Sequence, residues 1–96
     1  MFLDVNPLGG LKSKFTVFLK RSRGAVCVFD EGVQLSVGKT LQIRNNYVVS
    51  VEGKGKLPLN KTAVDFIYYD MFGNKEVVSF AMISEDFNAL KHLLGK

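Results

Sequence analysis

The chain has 96 residues, 13 of them basic and 9 acidic, for a formal charge of +4, and 47% of its residues are apolar. That length supports one domain around one modest core, and the apolar fraction excludes a disordered tail. The small positive surplus leans toward anionic partners but is also what solubility alone asks for, and the single cysteine, Cys27, excludes an internal disulfide framework and suits a reducing compartment.

Met1 to Pro7 lacks the basic start and apolar stretch of a signal peptide, and no run is long enough to cross a bilayer, so a soluble cytoplasmic protein is expected. Residues 1–14 read as a lead-in to the domain. Phe15 to Lys20 is rich in aromatic and branched residues and reads as the first strand. The basic turn Arg21-Ser22-Arg23-Gly24 follows, with Gly24 free to take a positive φ. Ala25 to Phe29 is the second strand, with Cys27 expected as core filler. After Asp30-Glu31-Gly32 comes Val33 to Val37, whose alternation puts Val33, Leu35 and Val37 on one face. Gly38-Lys39-Thr40 breaks the pattern before Leu41 to Arg44, and Asn45-Asn46 bends the chain into Tyr47 to Glu52. These make strands four and five.

Gly53 to Lys61 holds two Gly, one Pro, one Asn and three Lys, and reads as the longest loop. Ala63 to Tyr69 and Val77 to Ile83 form a hairpin around Gly73-Asn74. Ser84 to Leu94 reads as a helix, with Ser84 as N-cap, Glu85 and Asp86 in the first turn and Gly95 as the stop. At about 100° per residue, Phe87, Leu90, Leu93 and Leu94 share one arc, while His92 falls outside it. The fold class is therefore mainly β with one C-terminal helix in a single domain, 1–96, with strands over 15–83 and the helix over 84–94.

Three stretches carry a resemblance. Gly24 to Leu35, Ile43 to Glu52 and Val64 to Leu94 resemble the first turn and hairpin, the strand before the sheet switch, and the last hairpin and helix of the pleckstrin-homology-like (PH-like) superfold, especially its small prokaryotic and GRAM-type members. The resemblance implies seven strands in two nearly orthogonal sheets forming a partly open barrel capped by the helix. Short antiparallel strands also suit an SH3-like or OB-type barrel. The resemblance further implies that the connections after strands one, three and six crowd the open end. It thereby makes Lys14, Lys20, Arg21, Arg23, Lys39 and Lys75 candidates for an anion or lipid-headgroup site, since guanidinium and ammonium groups suit phosphate oxygens. In the superfold a groove beside strand five and the helix accepts an extended peptide, which makes Tyr47, Val49 and Val51 candidate partner contacts.

No catalytic set accompanies these surfaces. One His and one Cys make no nucleophile-base pair and no closed zinc site, and no acidic spacing matches a calcium loop, so neither enzyme activity nor a metal nor another cofactor is expected. Gly38-Lys39-Thr40 is not the end of a P-loop, because position 33, where the earlier glycine belongs, is Val33. The leading expectation is a non-enzymatic PH-like interaction module that docks on a partner protein, itself open to homo-oligomers. Binding of anionic lipid headgroups through the basic loops is the alternative. Nucleic-acid binding, with exposed aromatics beside lysines, is the second alternative.

Overall fold

The computed structural model describes residues 8–96; the part of the expected lead-in and the signal-peptide reading that rest on Met1 to Pro7 lie outside the described residues. Among the described residues the chain forms seven strands, a short 3₁₀ turn and one α-helix: β1 (Leu11–Phe18), β2 (Arg23–Phe29), β3 (Gly32–Ser36), β4 (Thr40–Arg44), the 3₁₀ turn (Asn45–Tyr47), β5 (Val48–Leu57), β6 (Lys61–Tyr69), β7 (Lys75–Ile83) and α1 (Ser84–Leu94). All pairings are antiparallel, in one sheet of order β4-β3-β2-β1-β7-β6-β5. Among the described residues, β4 and β5 are its two free edges.

A sheet with one apolar face has to cover that face, and this one does so by curling on itself. Phe15 and Val17 of β1, Val26 and Val28 of β2, Val33 and Leu35 of β3, Val51 of β5, Val64 and Phe66 of β6, and Phe80 and Met82 of β7 belong to one buried cluster. The two halves, β1–β4 and β5–β7, meet at a narrow join in which Phe18 pairs with Ala81. The architecture is thus a single curled, unclosed sheet rather than two separate ones.

The helix lies against β6 and β7. Leu90 is fully buried, Phe87 and Leu94 are half-buried against the core, and Leu93, expected on the same arc, is 38% exposed. The sheet is curved and the helix meets it along a stripe narrower than the arc of four residues. Gly95 ends the helix at φ 68°, in the left-handed region, as a C-terminal glycine should. Ser84 does not cap the helix. Its side chain is buried and its Oγ lies 2.7 Å from Oγ1 of Thr62, while Ile83 occupies the N-cap position. The two hydroxyls satisfy each other under the helix start, which a buried polar pair must do. The Ser84 N–H donates to the Asn60 carbonyl, and Asn60 Nδ2 donates to the Glu85 carboxylate, so the β5–β6 turn does the capping instead.

Several boundaries differ from the sequence reading, among them the start of β7 at Lys75, which places that residue in a strand instead of the preceding turn. β1 begins at Leu11, inside the expected lead-in, because Leu11 to Phe18 pairs with β2 despite its lysines. Gly53 to Leu57 is strand rather than loop: Gly53 pairs with Val64, Gly55 with Ala63 and Leu57 with Lys61, with an irregularity between Gly53 and Gly55. The loop shrinks to Pro58, Leu59 and Asn60, the last two at φ 64° and 60°. Gly53 lets the Phe87 ring lie close, since a Cβ there would stand 3.0 Å from its edge. Gly24 lies within β2 rather than in a positive-φ turn. A Cβ on it would reach 2.1 Å from the Ser36 carbonyl oxygen, so it permits close strand approach.

Leu90→Ala should cost about 2–5 kcal/mol in chemical denaturation, the usual range for emptying a fully buried leucine site. Leu93→Ala should stay within about 0.5 kcal/mol of the parent, as an exposed substitution does. Equal losses at the two positions would mean the helix is seated by a different face.

Candidate functional site

Two surfaces carry the candidate chemistry. The first is the outward face of β1–β4. Residues that alternate with the buried Phe15, Val17, Val26 and Leu35 point away from the core. The register joins Thr16 to Ala25, Ala25 to Ser36 and Ser36 to Thr40 in one row across four strands. The next row is Lys14, Cys27, Gln34 and Gln42, in which Gln42 Nε2 donates to Gln34 Oε1 at 3.1 Å. Cys27 is therefore half-buried on the outward side rather than core filler, its neighbours Val26 and Val28 taking the core. A concavity of about 590 Å³ opens over the first row, lined by Lys14, Thr16, Arg23, Gly24, Ala25, Ser36, Gly38, Lys39 and Thr40. Gly38 takes φ 91° at the tip of the β3–β4 turn, and the chain reverses there to present Lys39.

Of the six basic candidates, Lys14, Arg23 and Lys39 line this concavity and the other three do not. Lys20 borders a separate apolar groove of about 710 Å³ with Phe18, Leu19, Leu57, Pro58 and Leu59. Arg21 is exposed in the β1–β2 turn. Lys75 pairs with Tyr69 at the start of β7, and Ala81, the partner of Phe18, follows six residues later, about 20 Å along the strand. The Phe18 ring also anchors cations between the two surfaces. Lys61 Nζ sits 4.0 Å from its centroid and the Arg23 guanidinium 5.9 Å, distances at which the ring quadrupole attracts a positive charge.

The second surface is the free edge of β5 beside α1. A hollow of about 240 Å³ is lined there by Gly53, Gly55, Lys56, Thr62, Ser84, Phe87 and Asn88. Tyr47 is exposed in the 3₁₀ turn before the strand, Val49 is half-buried, and Val51 is wholly buried in the core. Val51 is thus withdrawn from any partner, because the irregularity between Val48 and Ser50 shifts the alternation of the strand. On the outward side, Lys54 Nζ donates to Glu52 Oε1 at 2.8 Å and Ser50 Oγ to Glu52 Oε2 at 3.0 Å. These bonds hold the Glu52 carboxyl below and the Lys54 ammonium above their ordinary pKa values, Lys54 and Glu52 being the leading cause for each other.

The unclosed seam of the sheet leaves a third feature. Leu41, Ile43 and Arg44 of β4 face Tyr47, Tyr68, Tyr69 and Met71 across a cleft of about 350 Å³. Burial, aided by Glu76 and Asp70, raises the Tyr68 pKa and keeps the phenol neutral. The β6–β7 turn at its rim is built by Asp70, whose carboxylate accepts the N–H groups of Phe72 at 2.9 Å and Asn74 at 2.8 Å. An aspartate shortly before Gly-Asn is the sequence signal for such a side-chain-closed turn.

Among the described residues, no group of three or more His, Cys, Asp or Glu is placed to hold a metal ion, and no helix is long and apolar enough to cross a membrane. No protein-family model matches this chain, and a search of the curated proteins finds no match. The surface residues missed in the sequence are Thr16, Ser36 and Thr40. Their signal was their place on the polar side of alternating strands, which becomes a row only once the register is known.

The Asx turn yields a pH prediction. Hydrogen bonds from Asn74 and Phe72 lower the Asp70 pKa. Its contribution to stability is therefore complete above the unfolded-state value of about 3.9 and is lost as the pH falls through the lower folded-state value. Asp70→Asn should lower the melting temperature at neutral pH, and thermal melts taken toward low pH should show a smaller acid-dependent loss in the variant than in the parent.

Proposed function

We propose that this chain is a non-enzymatic interaction module of PH-like type, which docks on a partner protein by adding an extended acidic segment of that protein to the free edge of β5. The PH-like reading is supported by seven antiparallel strands followed by a C-terminal helix, and by the seam between β4 and β5 where such a barrel stays partly open. The observation that carries the docking mode is that β5, ten residues long, ends the sheet with the helix-lined hollow beside it. An edge strand offers unpaired backbone donors and acceptors, and a neighbouring hollow selects side chains. β4, the other edge, has only five residues.

The charge on β5 sets the kind of segment. Lys54 and Lys56 flank Gly55, and if two β5 edges paired antiparallel around that point each Lys54 would lie opposite the other copy's Lys56, which discourages self-assembly there. Lys54 is already paired with Glu52, so Lys56 is the cation that attracts a partner's carboxylate. Lys56 lines the hollow with Phe87 and Asn88, a combination that suits an apolar side chain followed by an acidic one. Val51 supports the strand from within the core, Val49 is half-buried near its start, and Tyr47 stands exposed just before it.

The test uses acidic peptides selected from a display library against the intact chain. Successive residues of β5 alternate between facing β6 and facing outward, and Lys56 and Leu57 pair with Thr62 and Lys61. Of the variants Lys56→Pro and Leu57→Pro, the one that removes the outward N–H should stay folded and bind selected peptides about tenfold more weakly or worse. Hydrogen exchange should show protection of outward β5 amides in the complex. Full binding by both folded proline variants, or protection of another surface, would reject strand addition.

A further inference from the structure

The apolar groove of about 710 Å³ lies where β1 leaves β7. Its floor is low because Ala81 pairs with Phe18 on one side and with Ala63 on the other, two methyl groups standing where larger side chains would fill the space. Phe18 and Leu19 wall it from the end of β1, and Pro58 and Leu59 wall it from the β5–β6 turn, with Leu59 83% exposed. Lys20 and Lys61 stand on its rim, and none of its eleven lining residues is acidic. The Ser79 hydroxyl already donates to Asp65 at 2.8 Å, so the groove offers apolar surface between two cations.

The β6–β7 turn is its complement. Met71 and Phe72 are 83% and 81% exposed at the tip, two consecutive large apolar side chains left in water. The backbone beneath them is held in place. The Asp70 carboxylate accepts the Phe72 and Asn74 N–H groups, and the Asp70 N–H donates to the Asn74 carbonyl at 2.9 Å, so little further ordering of the turn is needed on contact. Asp70 and Glu76 against Lys75 give residues 70–76 one net negative charge, opposite in sign to the groove rim.

We propose that Met71 and Phe72 of one copy of this chain dock in the groove of a second copy, joining molecules head to tail. A chain cannot fill its own groove, because Lys75, next to the turn, lies six residues and about 20 Å along β7 from Ala81 on the groove floor. The contact is heterologous, so each added copy brings a free turn or a free groove and the copies extend in a row or close into a ring. The negative charge of the turn opposes approach to an anionic membrane and matches the lysines of the groove rim. Lys54 and Lys56 are not among the groove residues, so the repulsion that discourages pairing of β5 edges does not oppose this contact. Two side chains bury far less than the roughly 800 Å² per partner of a standard interface, so the association is weak and grows with concentration.

The experiment measures the average mass of the intact chain by sedimentation equilibrium from about 10 μM to about 1 mM, a range that reaches weak contacts. The mass should rise with concentration. Phe72→Ser on the turn, and Leu59→Asn on the groove, where asparagine suits the left-handed backbone at φ 64°, should each weaken association about tenfold or more. Both positions are exposed, so both variants should keep the parent's melting temperature. Ala63→Leu, which fills the groove floor, should act as Leu59→Asn does. The decisive sample is an equal mixture of Phe72→Ser and Leu59→Asn: the intact turn of the second meets the intact groove of the first, so the mixture should form pairs and nothing larger, although neither variant associates alone. The proposal is overturned by a parent that stays a single chain up to about 1 mM, by association that both variants leave unchanged, or by a mixture no more associated than its parts, which marks a two-fold contact of like surfaces. A parent that stays monomeric and is captured by anionic vesicles only while Phe72 is present assigns the turn to a membrane surface and overturns it as well.

Discussion

One backbone pairing, Phe18 with Ala81, joins the two halves of the sheet, and the arrangement of the rest follows from it. β1 pairs with β2 along most of its length but meets β7 only at its last residue, so the second half can swing away and fold its apolar face over the first. Without that turn, Val17, Val26 and Leu35 on one side and Val64, Phe66 and Met82 on the other would each face water. With it they form one core. Phe18 is well suited to the junction, since its ring also holds the Lys61 ammonium and the Arg23 guanidinium where the two halves come together.

Curling around a single join leaves two things uncovered. The β4 and β5 edges do not meet, so a seam opens between them, lined by tyrosines and by apolar residues of β4. The outward face of β1–β4 stays outside, where it carries hydroxyls and cations. The outward face of β5–β7 is different in kind: Glu52 and Asp65 pair across it, and Ser79 Oγ donates to Asp65. The hollow over β1–β4 has no carboxylate among its lining residues, whereas on the β5–β7 face the Glu52 and Asp65 carboxylates are both hydrogen-bonded. A protein with one core thus presents two unlike surfaces, an edge that offers backbone groups and a face that offers charge.

Close contacts explain several residues that composition reads as loop. Gly24 and Gly32 sit where a Cβ would meet a carbonyl oxygen of the neighbouring strand, at 2.1 Å from Ser36 and 2.4 Å from Ile43. Gly53 admits the edge of Phe87, which is how the helix reaches over β5. Ser84 gives up the usual capping role because Thr62 stands beneath it, and a buried unpaired hydroxyl on either side costs more than a missing cap when Asn60 already supplies the contacts at the helix start.

The sequence by itself determined the elements whose signals are local. The alternation of Val33 and Leu35, the hairpin before the helix, the helix span itself and its stop at Gly95 all depend on neighbours a few residues away, and each stands in the structure. It also supplied the basic residues without their grouping. Tertiary structure decided that Lys14, Arg23 and Lys39 surround one hollow while Lys20 and Lys75 lie elsewhere, that Val51 is core and not contact, and that Gly53 to Leu57 is strand. The physical reason is common to these cases. Register, edge position and the burial of an irregular strand are set by backbone pairing between segments distant in sequence, and hydrophobic spacing within one segment carries no information about its partner.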